Sequence, residues 1–496
     1  MKYGISKSRY CSGLQCPKML WMQKNKPEEF DQACMNESIL EKGLEVGDLA
    51  MGLFGDYVEV AYGDKADMIE KTRELMDRGT PIIAEASFSA DGLFCSVDIL
   101  KNLGDNKVAL YEVKSSSGVK EIYYHDVTFQ CYVLEKLGYT VVSCGIVHIN
   151  NKYVRRGELD IRKLFTVVDI TPRVRMLLKD VTANIDRMRN CAEQESEPTD
   201  DIGTYCFEPY NCGFFAYCSK HLPKPNVLDV RGVNKSMAIE WYHKGIVSFE
   251  DLNTSDVLTA KQHMQIEHEI TACPPRIDVK NIREYLKKMT YPIYFFDFES
   301  YQPAVPPFDN IGPFQQVVFQ YSLDYIEYEG GPIHHRDFLA YPGVDPRRAL
   351  AEQMCADIPK NVCVVTYNMR FEKTQIKGLE ELYPDLSEHL LNIRDHVVDL
   401  MVPFQKRWYY CRAMQGSFSI KQVLPALFPD DPSLDYHNLE GIHQGGEAAA
   451  AFSRMAQMSP EELENTRQQL LTYCGLDTYA MIKIWDKLKE ICSESI

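Results

Sequence analysis

The chain has 496 residues, of which 45% are hydrophobic and 25% charged, with a formal net charge of −17. This size and composition fit a globular protein of two or three domains and exclude a low-complexity or fibrous chain. No apolar run approaches the roughly 20 residues of a membrane span, and MKYGISKSRYCSGLQ lacks a signal-peptide core, so a cytoplasmic protein with no membrane partner is expected, and its sixteen cysteines do not read as a disulfide framework.

The first 26 residues contain Lys2, Lys7, Arg9, Lys18, Lys24 and Lys26 and no acid, and they carry Cys11 and Cys16 in SKSRYCSGLQCPKMLW. A helical stretch, NESILEKGLEVGDLAMGLF, follows. PIIAEASF, GLFCSVDIL and KVALYEVKSS then have strand character and are separated by SADG and GDN, turn chemistry that favours antiparallel hairpins. A helix over roughly 120–137 stops at Gly138, and TVVSCGIVHI is an apolar strand. Asp98 falls on the second of these strands, while Glu112 and Lys114, two apart in YEVK, share one face of the third. A hairpin brings Asp98 beside them, and Glu85 on the first strand can extend the group. Two carboxylates can hold a hard divalent cation, and the adjacent ammonium can orient water or stabilise phosphoryl charge. An acid-x-Lys triplet alone is more often a solvated strand face.

AEQESEPTDD (192–201) has the composition of an exposed hinge. It precedes YCFEPYNCGFFAYCSK, which sets Cys206, Cys212 and Cys218 at regular intervals amid aromatics. Three thiolates suggest a metal site that lacks its fourth ligand; four would suit zinc or an iron–sulfur cluster. Most other cysteines, such as Cys144 and Cys363, stand alone in apolar surroundings and read as small buried hydrophobes.

Taken together, Asp98, the hairpin-length gap, YEVK, the helix carrying Gln130 and the CPKMLW opening resemble the RecB-like PD-(D/E)xK nucleases with an iron–sulfur cluster, the AddB-type and CRISPR-adaptation enzymes. The resemblance implies a restriction-endonuclease-like fold with Asp98, Glu112 and Lys114 as catalytic core, Asp98 and Glu112 binding Mg2+ or Mn2+, and Gln130 on the following helix at the nucleic acid. It also implies that Cys16, which matches the motif better than Cys11, joins Cys206, Cys212 and Cys218 to hold a 4Fe–4S cluster, with zinc as the rival. Where that family's helix carries a metal-binding His, this chain has Gly47; Glu45 is a candidate substitute, or the metal has fewer protein ligands.

After the loop KHLPKPN, residues 226–290 read as small helices, including a helix, Lys-Gly turn and short helix similar to a helix-hairpin-helix connector. The buried strand YPIYFFDF opens the C-terminal part. Strands at QVVFQYSLDYIEY and IHHRDFLAY, a helix at DPRRALAEQMCADI and a strand at NVCVVTYN follow. The remainder is mostly helical, and the last long helix starts at a capping box formed by Ser459 and Glu462, with Pro460 at its first position. This order is that of a ribonuclease-H-like α/β domain.

FFDFES places Asp297 and Glu299 on one face of a buried strand, which is costly unless they bind a cation. TYNMRFEKTQI adds Asn368, Phe371 and Glu372, VVDLMVPF adds Asp399, and YCGLDTYA sets Tyr473 and Asp477 one turn apart on a helix. From Leu400 to Pro429 there is no acid, but QKRWYYCR interleaves Lys406, Arg407 and Arg412 with Trp408, Tyr409 and Tyr410. Cations beside stacking surfaces suit a nucleic-acid strand; a solvated helix face with buried aromatics explains the stretch equally well.

The C-terminal set resembles the DnaQ-like DEDD exonucleases whose third motif is Tyr-x-x-x-Asp. That resemblance implies that Asp297, Glu299 and Asp477 hold two metals, Mg2+ or Mn2+, and that Tyr473 orients the attacking water. Glu372 stands where the second motif usually has Asp, with Asp399 as the alternative ligand, and Lys421 can contact phosphate. Nearly the whole chain also looks like a bacterial and archaeal family of unknown function that joins these two modules. The expected organisation is a nuclease domain over 1–222, a helical connector over 223–288 and an exonuclease domain over 289–496. The expected function is a metal-dependent nuclease, the C-terminal centre working 3′→5′, on DNA ahead of RNA, as single strands or ends. The alternatives are a single active C-terminal centre beside an N-terminal binding platform, and a non-enzymatic nucleic-acid-binding scaffold.

Overall fold

The computed structural model describes residues 3–34, 37–253 and 257–494, with the backbone alone over 37–42 and at 494. The chain forms two compact α/β units. The first comprises Met1–Pro223, Asn234–His243 and Pro303–Gln315, and the second Lys224–Val233, Lys244–Gln302 and Gln316–Ile496. Residues 223–288 are therefore divided between the units. Among the described residues no helix is long and apolar enough to cross a membrane.

The first unit begins with β1 (Ile5–Ser6), α1 (Lys7–Gln15), α2 (Pro17–Asn25), α3 (Glu37–Met51), β2 (Val58–Glu59) and α4 (Lys65–Asp77). β3 (Ile82–Ala90), β4 (Leu93–Asn102), β5 (Lys107–Lys114), α5 (Glu121–Lys136) and β6 (Thr140–Ile149) follow where the turn and periodicity signals place them. α6 (Ile161–Leu164), β7 (Phe165–Asp169), α7 (Thr171–Ala192), α8 (Phe215–Cys218) and α9 (Lys235–His243) complete it. The mixed sheet runs β2-β3-β4-β5-β6-β7, and β1 pairs with β4 off that path.

That last pairing positions a functional residue. β3 occupies one edge of β4 over nearly its whole length. On the other edge, β5 pairs with Ile99–Asn102 and β1 with Leu93 and Phe94. Asp98 thus lies at the fork where β5 leaves β4, and β1 delivers Lys7, the first residue of α1, to the same fork. One face of the sheet packs on α5, where Val127, Phe129 and Leu134 join Ile83, Leu100 and Leu110 in a core that Tyr10 enters by stacking on Phe129. On the other, Val46 and Ala50 of α3 pack with Ile99, Val147, Ala304 and Val305.

The segment 192–201 is not a free hinge. Trp21 Nε1 donates to Gln194 O, Lys24 to Ala192 O, and Glu197 accepts from both Lys18 and Lys26 (3.0 and 2.8 Å). The acids of this stretch meet the acid-free N-terminal run, which local composition could not reveal.

The second unit contains α10 (Phe249–Leu252), α11 (Ala260–Thr271), β8 (Arg276–Ile277), α12 (Val279–Leu286), β9 (Ile293–Tyr301), β10 (Val317–Ile326) and β11 (His334–Leu339). Next come α13 (Arg347–Asp357), β12 (Cys363–Thr366), α14 (Met369–Leu382), α15 (Ser387–Asp395), β13 (Val397–Asp399), α16 (Val402–Gln405) and β14 (Tyr409–Tyr410). α17 (Ile420–Leu427), α18 (Gly445–Arg454) and α19 (Pro460–Glu494) end the chain. Its sheet order is β11-β10-β9-β12-β13, antiparallel on the β11 side of β9 and parallel on the other, with a separate β8–β14 pair.

Alternation along β9 sends Phe296 and Phe298 into a core with Leu350, Met354 and Ile376, while Phe295 packs under Trp485 of α19 on the opposite face. Asp297 and Glu299 share the α19 face. α19 starts at the expected capping box, with Ser459 and Glu462 bonded reciprocally.

Candidate metal centre and charged constellations

In the second unit, β10 clamps α19 across the sheet. Gln320 Nε2 donates to Leu470 O at 2.8 Å, the hydroxyls of Ser322 and Thr478 lie 2.8 Å apart, and Thr478 donates to Asp324 at 2.8 Å. Ser322 pairs with Asp297 and Gln320 with Glu299, so the clamp holds Tyr473 and Asp477 over the β9 carboxylates. One oxygen each from Asp297, Glu299 and Asp477 lies within 4.8 Å of the others.

The surroundings raise the cost of that clustering. Burial and the charge of Asp477 lift the Glu299 carboxyl to about 8, and burial lifts Glu372 to about 8. Burial takes Asp477 to about 6, although a hydrogen bond from Tyr436 Oη (2.6 Å) opposes it. Asp297, half-buried at its surface but desolvated beside Asp477, Glu372 and Glu299, is pushed well above the carboxylate range. Glu372 enters from the first turn of α14, only 2% exposed, and its Oε2 has no hydrogen-bond partner. A divalent cation would remove all these penalties at once, so the donor set fits one. Lys421 donates to Tyr473 Oη at 3.1 Å and to His443 O at 2.8 Å, which places an ammonium at the rim. Gly445, the first residue of α18, lies against Glu299: a Cβ there would be 3.5 Å from Oε2.

Asp399 is not an alternative ligand. Its oxygens accept the backbone N–H groups of Asn368 (3.0 Å), Met369 (3.2 Å) and Met401 (2.9 Å), and so fix the left-handed turn at Asn368 that starts α14. Tyr436, which the sequence reading missed, is buried against Asp477 from a loop without periodicity.

The first unit gathers Asp98, Glu112 and Lys114 as expected, and adds two residues. Lys7 Nζ lies 2.9 and 3.1 Å from the two oxygens of Glu112 and 3.5 Å from Asp98 Oδ1. Asp126 of α5 accepts from Lys114 at 2.7 Å, as does Glu112. Asp98 Oδ2 accepts Val113 N–H at 2.7 Å. Burial resists ionisation of Glu112, yet Lys114 and Lys7 outweigh it and hold its carboxyl well below the usual range. Burial and Glu112 lift Asp98 to about 6; burial and Asp98 lift Glu85 to about 7. Gln130 is fully buried and donates to Glu112 (2.6 Å) and Asp126 (3.0 Å). It orients carboxylates and has no surface to offer nucleic acid, which corrects its expected role. Beside Gly47 the space is open: a Cβ would meet nothing within 4 Å.

Cys16, Cys206, Cys212 and Cys218 line one cavity with Lys18 and Phe214, whereas Cys11 lies nearer Asp126 and Lys114. Burial pushes the Cys16 thiol up to about 12 and Cys212 to about 11. Among the described residues no three cysteine sulfurs fall within 4.8 Å of one another.

The aromatic-basic stretch divides. Arg407 is 5% exposed, donates to Ser417 O and Gly416 O, and lies over the Tyr410 ring. It braces the loop that follows β14 and is not a nucleic-acid contact, a second correction. Tyr409 and Tyr410 are buried, Trp408 packs on Tyr285, Arg412 pairs with Glu269 at 2.8 Å, and Lys406 is exposed. A surface with more cations than acids lies in the first unit, where Lys152, Arg156, Arg162 and Lys163 line an open groove of about 430 Å³ together with Glu158 and Asp160. Of these only Lys163 has a carboxylate partner among the described residues, Asp160 at 2.9 Å. The five cations against two acids from 152 to 163 in an acidic chain were the available signal.

A family described as "Domain of unknown function (DUF2779)" matches residues 294–419. That segment holds Asp297, Glu299 and Glu372 and ends before Lys421, Tyr473 and Asp477. The chain is also similar to the "Uncharacterized protein UU173" of Ureaplasma parvum serovar 3, at 26% identity over 224 residues, 40% of this chain and 32% of that protein. The match thus spans about a third of the relative's length.

Proposed function

We propose that the second unit is a metal-dependent nuclease centre of the DEDDy, ribonuclease-H-like type, cleaving nucleic-acid phosphodiesters 3′→5′, DNA ahead of RNA. The observation that carries this reading is the convergence of half-buried Asp297 with buried Glu299 and Asp477, with the buried Glu372 leaving its Oε2 without a hydrogen-bond partner beside them. These residues would hold Mg2+ or Mn2+, which when bound polarises a phosphoryl oxygen and activates water. Burial holds the Tyr473 hydroxyl in its protonated form, so it orients water by hydrogen bonding and does not serve as the base. Lys421 fixes that hydroxyl and adds positive charge where phosphoryl charge develops.

The first unit, in this reading, is a RecB-like PD-(D/E)xK module whose ends are tied by a 4Fe–4S cluster on Cys16, Cys206, Cys212 and Cys218. Its groove at Lys152, Arg156 and Arg162 offers phosphate contacts independent of sequence. The test is degradation of end-labelled single- and double-stranded DNA and RNA by the anaerobically purified full chain with Mg2+ or Mn2+. Asp297→Asn and Asp477→Asn should each lower the rate about 100-fold or more. Cleavage that survives both changes would overturn the reading, and no cleavage of any substrate would favour a binding scaffold. A colourless, iron-free protein containing zinc would overturn the cluster.

A further inference from the structure

The PD-(D/E)xK resemblance implies a divalent cation between Asp98 and Glu112, and the donor set of the first unit does not fit one. Both oxygens of Glu112 are taken, one by Lys7 and Lys114 and the other by Lys7 and Gln130. Asp98 gives one oxygen to the Val113 N–H and turns the other toward Lys7. Asp126 is shared between Lys114 and Gln130. No carboxylate oxygen of Asp98, Glu112 or Asp126 lacks a donor, and Glu85, which feels the charge of Asp98, joins no group of three close metal-ligating atoms among the described residues. Gly47 offers no side chain as a further ligand, and Glu45, the candidate substitute, joins no group of three close metal-ligating atoms among the described residues. Among the described residues the only group of three close metal-ligating atoms is the one in the second unit.

Lys7 does not reach this place by a loose swing of its chain. The β1–β4 pairing fixes Ser6 opposite Phe94, and the Ser6 hydroxyl caps α1 by accepting the Arg9 N–H at 3.3 Å. These two constraints aim the first helical residue into the fork between β4 and β5. A cation delivered this way is part of the fold.

We propose that the Lys7 ammonium takes the place of the divalent cation between Asp98 and Glu112, so that the first unit keeps a nuclease-like constellation with an internal, covalently attached cation. The inference rests on the PD-(D/E)xK reading of the first unit. It assigns metal-dependent hydrolysis to the second unit alone and leaves the first to grip the strand.

The test is Mn2+ binding to the full chain, freed of divalent ions by dialysis, with free Mn2+ followed by electron paramagnetic resonance. Tight binding should be present in the wild type and lost in the Asp297→Asn/Asp477→Asn protein. Lys7→Met should gain one Mn2+ per chain, and Asp98→Asn/Glu112→Gln should remove it again. Binding that persists in Asp297→Asn/Asp477→Asn and disappears when Asp98→Asn/Glu112→Gln is added would overturn the proposal. So would a folded Lys7→Met protein that gains no Mn2+. Should Lys7→Met fail to fold, the comparison with Lys7 intact still decides. Failure of the second-unit reading is distinct: it would appear as wild-type binding that neither Asp297→Asn nor Asp477→Asn reduces.

Discussion

At the scale of single residues, similar side chains serve opposite purposes. Arg407 and Lys406 are neighbours in a basic run, but one is a buried brace and the other is solvent-facing. Arg407→Met should remove two hydrogen bonds to backbone carbonyls and a ring contact, costing about 2–4 kcal/mol. Chemical denaturation should show that loss, while the salt dependence of DNA binding stays unchanged; a changed salt slope with wild-type stability would restore Arg407 as a phosphate contact. Tyr436→Phe strips Asp477 of the side-chain hydrogen bond that Tyr436 Oη donates at 2.6 Å. A buried bond to a charged group is worth about 1.5–3 kcal/mol. Mn2+ affinity should therefore weaken by roughly tenfold or more in a titration, with the fold intact by circular dichroism. Unchanged affinity would make Tyr436 a packing residue only.

These residues also mark what could be read in advance. Asp297 and Glu299 were legible because strand alternation alone puts them on one face, and Tyr473 and Asp477 because they are one helical turn apart. Lys7, Asp126 and Tyr436 were not legible as site members. Each comes from a different element, and no local periodicity links Lys7 to a carboxylate 105 residues on. Asp399 misled because an acid at a strand end looks the same whether it caps a turn or binds a metal.

At the scale of elements, the hairpins β3–β4–β5 and the strand β6 followed from turn residues and apolar runs, while the parallel pairing of β6 with β5 did not. The two-residue β1 did not, since a strand that short carries no pattern; yet it places Lys7. Similarly, 192–201 has hinge composition, and long-range ion pairs override it. The segment from β6 to β7 carries the element-scale prediction. Lys152, Arg156 and Arg162 line one groove, and each phosphate contact removed should lower the salt slope by about one. Lys152→Glu/Arg156→Glu/Arg162→Glu should weaken DNA binding at least about tenfold and reduce the slope by about two to three in fluorescence anisotropy, with thermal stability unchanged. An unaltered slope would move the strand to another face.

For the whole molecule, proton and metal binding are linked through the second unit's carboxylates. In the unfolded chain Asp and Glu ionise near pH 4. In the folded protein Glu299 and Glu372 are held at about 8 and Asp477 at about 6, in each case chiefly by burial. Between pH 4 and 8 the native state therefore binds more protons than the unfolded one, and its stability falls as pH rises. This group's contribution is complete below about pH 4 and lost as pH climbs through 6 to 8. A bound divalent cation replaces those protons, so its stabilisation must grow over the same interval. The difference in Tm between Mn2+ and a chelator should be small at pH 5.5 and several degrees larger at pH 8.5, and it should vanish in Asp297→Asn/Asp477→Asn. Asp98 and Glu85 also titrate high, but if Lys7 fills their site they add pH dependence without Mn2+ dependence. A Mn2+ effect that is constant with pH, or largest in acid, would mean that these carboxylates do not share a cation.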